Sequence, residues 1–347
     1  MIFIGDVAIA PGDRFRHVGF PDNFQVKPIC LNLEGAISPQ DELPARGLCN
    51  SLNCLDSFKD FTLGPVFLGN NHITDIPDGI SITQTHLAEN KLQFFGAGCS
   101  QTDAESVAID GDFVCLGFGW PVIQCVPASS KRPGVNRFEG NAVRKQVNKA
   151  LKQHPQKKLI AVFHWNYEFE PYPQPGHRAL AMELIDMGVH AIIGHHPHVV
   201  GPVECYRGHT IAYSLGNWAF SFGRFFDGQL LFPEKSFEQS ALEINPKGNI
   251  VHKVRFEPPD TIRYCFAEDA DAPGCSLKPD FEGMSSTEYL TWFKTNRVKR
   301  KLLPIYMSAD RSVGNRVRDL SVAIRQRAIG VALHMGLKKM NGTKCER

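Results

Sequence analysis

The chain is 347 residues long, with 43% hydrophobic and 21% charged residues and a formal net charge of +2 at pH 7. That length and apolar content suit one large domain plus an appendage, and no apolar run of about 18 residues or more is present to form a membrane-spanning helix. The N-terminus, Met1-Ile2-Phe3-Ile4-Gly5-Asp6, has neither a basic leader nor the extended apolar segment of a signal peptide, which points to the cytoplasm.

The first apolar run, Ile2-Phe3-Ile4, reads as a short buried strand and ends in Gly5-Asp6. The next, Ile29-Cys30-Leu31, ends in Asn32-Leu33-Glu34, and Pro65-Val66-Phe67-Leu68 ends in Gly69-Asn70-Asn71-His72. A helix is predicted over 79–90, a strand over 92–95, a turn at Gly96-Ala97-Gly98 and a hairpin over 106–120 across Asp110-Gly111-Asp112. An amphipathic helix over 139–153 leads to Leu159-Ile160-Ala161-Val162-Phe163, which ends in His164-Trp165. A helix over 178–187 leads to Ala191-Ile192-Ile193, which ends in Gly194-His195-His196-Pro197-His198. Later strands are predicted over 210–214, 241–244 and 250–256, the last two joined by a turn at Asn245-Pro246-Lys247-Gly248. Strands alternating with helices, followed by late hairpins, predict a mixed-sheet α/β layer fold.

The chemistry collects at the ends of these strands. Ligands bind at the carboxyl ends of strands in open α/β sheets, and five strand ends here deliver Asp, Glu, Asn or His. Three imidazoles stand within four positions at His195, His196 and His198. Neutral imidazole is a ligand for zinc, iron and manganese, and polar rings crowded at a strand end gain nothing in packing without an ion. Carboxylate, amide and imidazole donors without a thiolate suit one or two catalytic divalent ions (Mn, Fe or Zn) rather than a structural zinc site.

The ordered blocks Gly5-Asp6, Asn32-Leu33-Glu34, Asn70-Asn71-His72, His164-Trp165, Gly194-His195-His196-Pro197-His198 and Tyr213-Ser214-Leu215-Gly216-Asn217 resemble the CapA-type capsule-synthesis family. That family is associated with poly-gamma-glutamate and is itself similar to the calcineurin-like metallophosphoesterases. The resemblance implies an αββα architecture over residues 1–260: two sheets packed face to face between helices, with a dinuclear metal site at one rim. By the same resemblance, Asp6, Glu34 and His198 hold the first metal, with Glu34 bridging. Asn71, His164 and His196 hold the second, with His195 as an alternative ligand, and His72 is the proton donor. Three departures stand out: Ala8 occupies the position of a metal-binding histidine, while Asn166 and Trp218 are expected to alter the pocket lining. The loss at Ala8 opens the way to one-metal occupancy.

The implied activity is metal-dependent hydrolysis of an anionic phosphoester or amide, from a small molecule or polymer, in capsular or surface-polymer metabolism. A non-catalytic accessory protein of polymer synthesis that keeps the metal site is the alternative. Substrate contacts are expected from Glu168, Tyr172 and His177, on the proline-stiffened loop after the His164 strand, and from Arg224.

Ten cysteines, several inside apolar runs and none in a Cys-x-x-Cys pair, read as reduced thiols. The overall charge hides an asymmetry: residues 288–347 carry 14 Lys and Arg against 4 Asp and Glu. Residues 261–285 read as a linker and 286–347 as a basic helical C-terminal extension. There Val317, Leu320, Ile324, Ala328, Val331 and Met335 follow helical spacing. Two readings are open: the row docks the helix on the catalytic domain and leaves a basic face in water, or the basic helices contact an anionic polymer or membrane surface. No RNA- or DNA-binding motif supports a specific nucleic-acid partner.

Overall fold

The computed structural model describes residues 1–40, 42–44, 47–298 and 303–334, with side chains up to residue 329 in the last of these stretches. Two sheets dominate. Among the described residues the larger runs, edge to edge, through the strands Arg16–Val18, Thr261–Asp269, Ile250–Glu257, Glu238–Glu243, Ile2–Ala8, Ile29–Leu33, Leu63–Phe67 and Phe94–Phe95, and Asn217–Phe220 also pairs with Ile2–Ala8. The smaller runs Val203–Tyr206, His209–Ala212, Ala191–His195, Lys158–His164, Phe113–Gly119 and Ala108–Asp110. The predicted 106–120 hairpin is present, with Phe113 opposite Asp110.

Alternation along the strands makes the sheets into layers. Ile160 and Val162 face Phe3, Cys30 and Phe67 of the other sheet in one buried cluster, while Leu159, Ala161 and Phe163 belong to a second. The period of two requires this split in a strand buried on both faces. The outer cluster is completed by Val143, Val147 and Ala150 of the Gly140–Gln153 helix and by Leu180, Ala181, Leu184 and Ile185 of the Pro175–Asp186 helix. Glu139 caps the first of these helices, its carboxylate accepting from Asn141 N and Ala142 N. Each buried Leu, Ile, Val or Phe contributes about 1.5–3 kcal/mol, so the two-sheet sandwich with outer helices is held mainly by these layers.

Pairing register then sets the chemistry. Asp6 lies opposite Asn32 on one side and Asn217 on the other, and His164 lies opposite His195. Ile2–Ala8, Ile29–Leu33 and Leu63–Phe67 are parallel in one sheet, as are Phe113–Gly119, Lys158–His164 and Ala191–His195 in the other. Their carboxyl ends meet at one rim. Gly5 permits the approach of Asn217–Phe220, because a Cβ there would collide with Gly216 O.

Two expectations are corrected. The segment read as a linker begins with the strand Thr261–Asp269, antiparallel to Ile250–Glu257 from Glu257↔Thr261 to Ile250↔Asp269. Its exposed, charged outer face masked the strand in the sequence. The Val313–His334 helix docks through the face opposite to the apolar row. Asn315 and Val322 are buried, Gln326 Nε2 donates to Val122 O, and Tyr306 Oη donates to Asp319. Val317, Leu320 and Ile324 point outward. The Val331 side chain and Met335 lie outside the described residues. Cys345 lies outside the described residues.

Candidate metal centre

Glu34 follows the Ile29–Leu33 strand and is fully buried. Its own backbone is clamped: Asn50 Nδ2 donates to Glu34 O at 2.9 Å, and Asn70 Nδ2 donates to Leu33 O at 2.8 Å. Both carboxylate oxygens lack a hydrogen-bond partner among the described residues. Around Oε1 stand His72 Nε2 at 3.9 Å, His164 Nε2 at 3.8 Å and His198 Nε2 at 3.8 Å. His196 joins them, with one donor atom each of Glu34, His196 and His198 within 4.8 Å of one another, and His196 Nδ1 is buried without a partner. Buried polar atoms are normally paired, and an unpaired carboxylate is costly. A divalent cation among Glu34, His164, His196 and His198 would satisfy these donors at once, so the residues present fit a metal ion. Asn71 Oδ1, 2.7 Å from His164 Nε2, adds an oxygen beside the cluster.

The loop after Ala191–His195 brings its histidines together through unusual backbone: φ is +94° at His196 and +57° at His198. Non-glycine residues adopt that region rarely and at a cost, and here it turns both rings toward Glu34.

Asp6 occupies a different place from the ligand role that the resemblance implies. Its Oδ1 accepts from Asn32 Nδ2 and His195 Nδ1, both at 2.9 Å. Its Oδ2 accepts from His196 N at 3.2 Å and faces His198 Nδ1 at 3.3 Å. A carboxylate has about four acceptor sites, and all are engaged. His195, the alternative ligand, is committed to Asp6 through Nδ1. His198 Nδ1 also donates to Asn217 Oδ1 at 2.9 Å, which leaves Nε2 for an ion. Ala8 lies in an apolar cluster with Phe169, Phe220, Phe225 and Phe232, so carbon fills the place of the absent histidine.

Burial and charge divide the titrating groups. Burial raises the Glu34 carboxyl to about 7, against the pull of His198. Burial and the neighbouring imidazoles hold His164 and His196 well below the ordinary histidine value, so both are neutral. Burial opposes protonation of His198 too, but the Glu34 and Asp6 carboxylates raise it to about 10. Asp6 is pushed up by burial yet held well below the carboxylate range by hydrogen bonds from His195 and His198. At His72, burial is outweighed by the Asp75 carboxylate, which accepts from Nδ1 at 2.7 Å and raises its pKa.

The expected substrate contacts divide. Glu168 is exposed near the cluster, where its charge acts on Glu34 and His198. Tyr172 instead packs on Trp292. His177 is buried against Trp120, Phe138 and Trp165, with ring centroids 4.7, 5.0 and 5.2 Å away. Arg224 donates to Asp13 at 2.8 Å and Pro11 O at 3.0 Å. Asn166 and Trp218 do not line the site either. Asn166 donates to Glu170 O and Tyr172 O, and Trp218 Nε1 donates to His17 Nε2 within an aromatic cluster. Asn32, Asn70, Asp75 and Asn217 orient the site without having been assigned roles from the sequence. Asp75 stands three residues after His72, and the others lie inside the quoted motifs.

Residues 28–221 match the family model described as "Bacterial capsule synthesis protein PGA_cap". The chain is 34% identical over 165 residues to "Capsule biosynthesis protein CapA" of Bacillus anthracis, covering 45% of this chain and 40% of that protein. It is 32% identical over 171 residues to "PGA biosynthesis protein CapA" of Bacillus subtilis (strain 168), covering 48% and 44%. It is also 31% identical over 166 residues to a "Probable polyglutamine synthesis accessory protein" of Mycobacterium tuberculosis, covering 43% of each. The matches thus span about two fifths of the length of these relatives. A crystal structure of a hypothetical protein from Thermus thermophilus superposes loosely, with a TM-score of 0.40 at 13% identity over 77% of this chain and 98% of that one. The family model covers more than half of the chain and carries Glu34, His164 and all three clustered histidines, and the chain belongs to the bacterial capsule synthesis family.

Proposed function

We propose that the chain is a metal-dependent hydrolase acting on an anionic phosphoester or amide in surface-polymer metabolism. The observation that carries this reading is the unpartnered Glu34 carboxylate ringed by the Nε2 atoms of His72, His164 and His198. Glu34, His164, His196 and His198 hold one tight divalent ion (manganese, iron or zinc), with Asn71 beside it. A bound ion of this kind supplies hydroxide near neutral pH and offsets charge developing on the substrate. Asp6 is a positioning residue whose oxygens fix His195 and His198. His72 keeps its proton through Asp75 and is partly exposed, so it can donate to a leaving group. The relatives named for capsule and PGA biosynthesis support a link of such a polymer as the substrate class.

A second reading, an accessory protein that keeps the ion for structure or polymer binding, is favoured by the engagement of Asp6 and by the phenylalanines around Ala8, which remove donors for a second ion. The test is turnover of phosphoester and glutamyl-amide substrates by metal-loaded wild type and His72→Ala. Hydrolysis by wild type that falls in the variant at unchanged metal content supports the enzyme. Bound metal with no hydrolysis of either class supports the accessory reading.

A further inference from the structure

The Val313–His334 helix carries an apolar row on a side that the other described residues do not cover. Val313, Val317, Leu320 and Ile324 are 77%, 64%, 60% and 57% exposed. Their spacing places them on one stripe of a helix with about 3.6 residues per turn. The opposite stripe, with Asn315 and Val322, is the docked one. Arg316 and Arg327 are exposed beside the row, and no ion pair engages either among the described residues. Residues 288–347 carry 14 basic against 4 acidic residues, whereas the rest of the chain carries 24 against 32. The basic excess is thus confined to the segment that bears the apolar row.

We propose that this face lies on an anionic lipid bilayer, with the aliphatic row at the acyl boundary and the flanking arginines on headgroup phosphates. An apolar stripe with basic flanks is the pattern of an interfacial helix, and clustered Lys and Arg bind the negative potential of anionic lipid. A second copy of the chain is the natural competitor, because the spacing from Val313 to Ile324 also fits a coiled-coil seam. Pairing would, however, set two strongly basic segments side by side. An acidic polymer would pair with the arginines but leave the aliphatic row in water. Of these three occupants, the anionic bilayer is the one that meets both features. The proposal does not depend on the metal centre.

The test is flotation of the full chain with vesicles of phosphatidylcholine alone and of equal phosphatidylcholine and phosphatidylglycerol. The expected result is at least tenfold stronger binding to the anionic vesicles, weakening as salt rises. Leu320→Glu with Ile324→Glu should abolish binding at an unchanged melting temperature, and Arg316→Glu with Arg327→Glu should weaken it several-fold. Equal binding to both vesicle types, or binding unaffected by Leu320→Glu with Ile324→Glu, overturns the proposal. So does a concentration-dependent dimer that Leu320→Glu disperses, or soluble polyglutamate binding through the arginines without vesicle binding.

Discussion

Two buried carboxylates in this chain have opposite surroundings. Glu204 accepts from Arg178 Nη2 at 2.6 Å, Arg178 Nε at 3.0 Å and Tyr213 Oη at 2.6 Å. Arg178 in turn lies over the Tyr289 ring and donates to Met284 O, tying the C-terminal segment to the Pro175–Asp186 helix. Glu34 is as deeply buried, and neither oxygen has a hydrogen-bond partner among the described residues. The protein satisfies Glu204 by itself and leaves Glu34 open among imidazoles. A buried charge that its own chain completes is architecture, and one left open is a place for something the chain does not supply.

The contrast can be broken from either side. His72→Ala should lower turnover by roughly 10²–10⁴-fold with metal content near wild type; metal lost along with activity would make His72 a ligand instead. Asp75→Asn should lower the His72 pKa, so activity that requires protonated His72 falls off at lower pH than in wild type. A pH–rate profile whose alkaline limb does not move removes Asp75 from the mechanism.

Arg178→Met should destabilise the fold by about 3–5 kcal/mol, because it strands the Glu204 charge, while metal per folded chain stays constant. Denaturant unfolding and elemental analysis read the two effects separately; a loss of metal in the folded variant would erase the distinction between the two regions.

Asp6→Asn should weaken metal binding about 10–100-fold, as expected for a group that orients ligands. Complete loss of metal would make Asp6 a direct ligand, as the resemblance implies. The metal affinity should also depend on pH. His198 titrates at about 10 and Glu34 at about 7 without metal, so an ion must displace their protons. Affinity should rise about tenfold per pH unit between pH 7 and 10, and more steeply below 7. A flat profile in metal titrations would contradict the assigned protonation states.

The strand-end donors were legible because a buried strand is short and apolar and its first polar residue sits at a sheet rim. Which donors touch an ion was not, because hydrogen bonds between strands decide it. Asp6 meets Asn32 and His195 through sheet register, which no local pattern displays. His177 looked like a pocket residue after a proline-rich loop. The loop folds back at Asn166, where φ is +69°, and the helix that starts at Pro175 turns the His177 ring into the aromatic core. The C-terminal periodicity agrees with the Val313–His334 helix over its described side chains, where Val317, Leu320 and Ile324 share one stripe. Spacing alone could not reveal that the domain takes the opposite face.

On the proposed reading, Glu34 is open because an ion completes it. Metal content of the full chain, purified without chelator, tests it most directly when measured beside Glu34→Gln with its fold checked by circular dichroism. The wild-type chain should hold close to one divalent ion and the folded variant almost none. Equal metal in both proteins, or no metal in the wild type after incubation with manganese, iron or zinc, would contradict it.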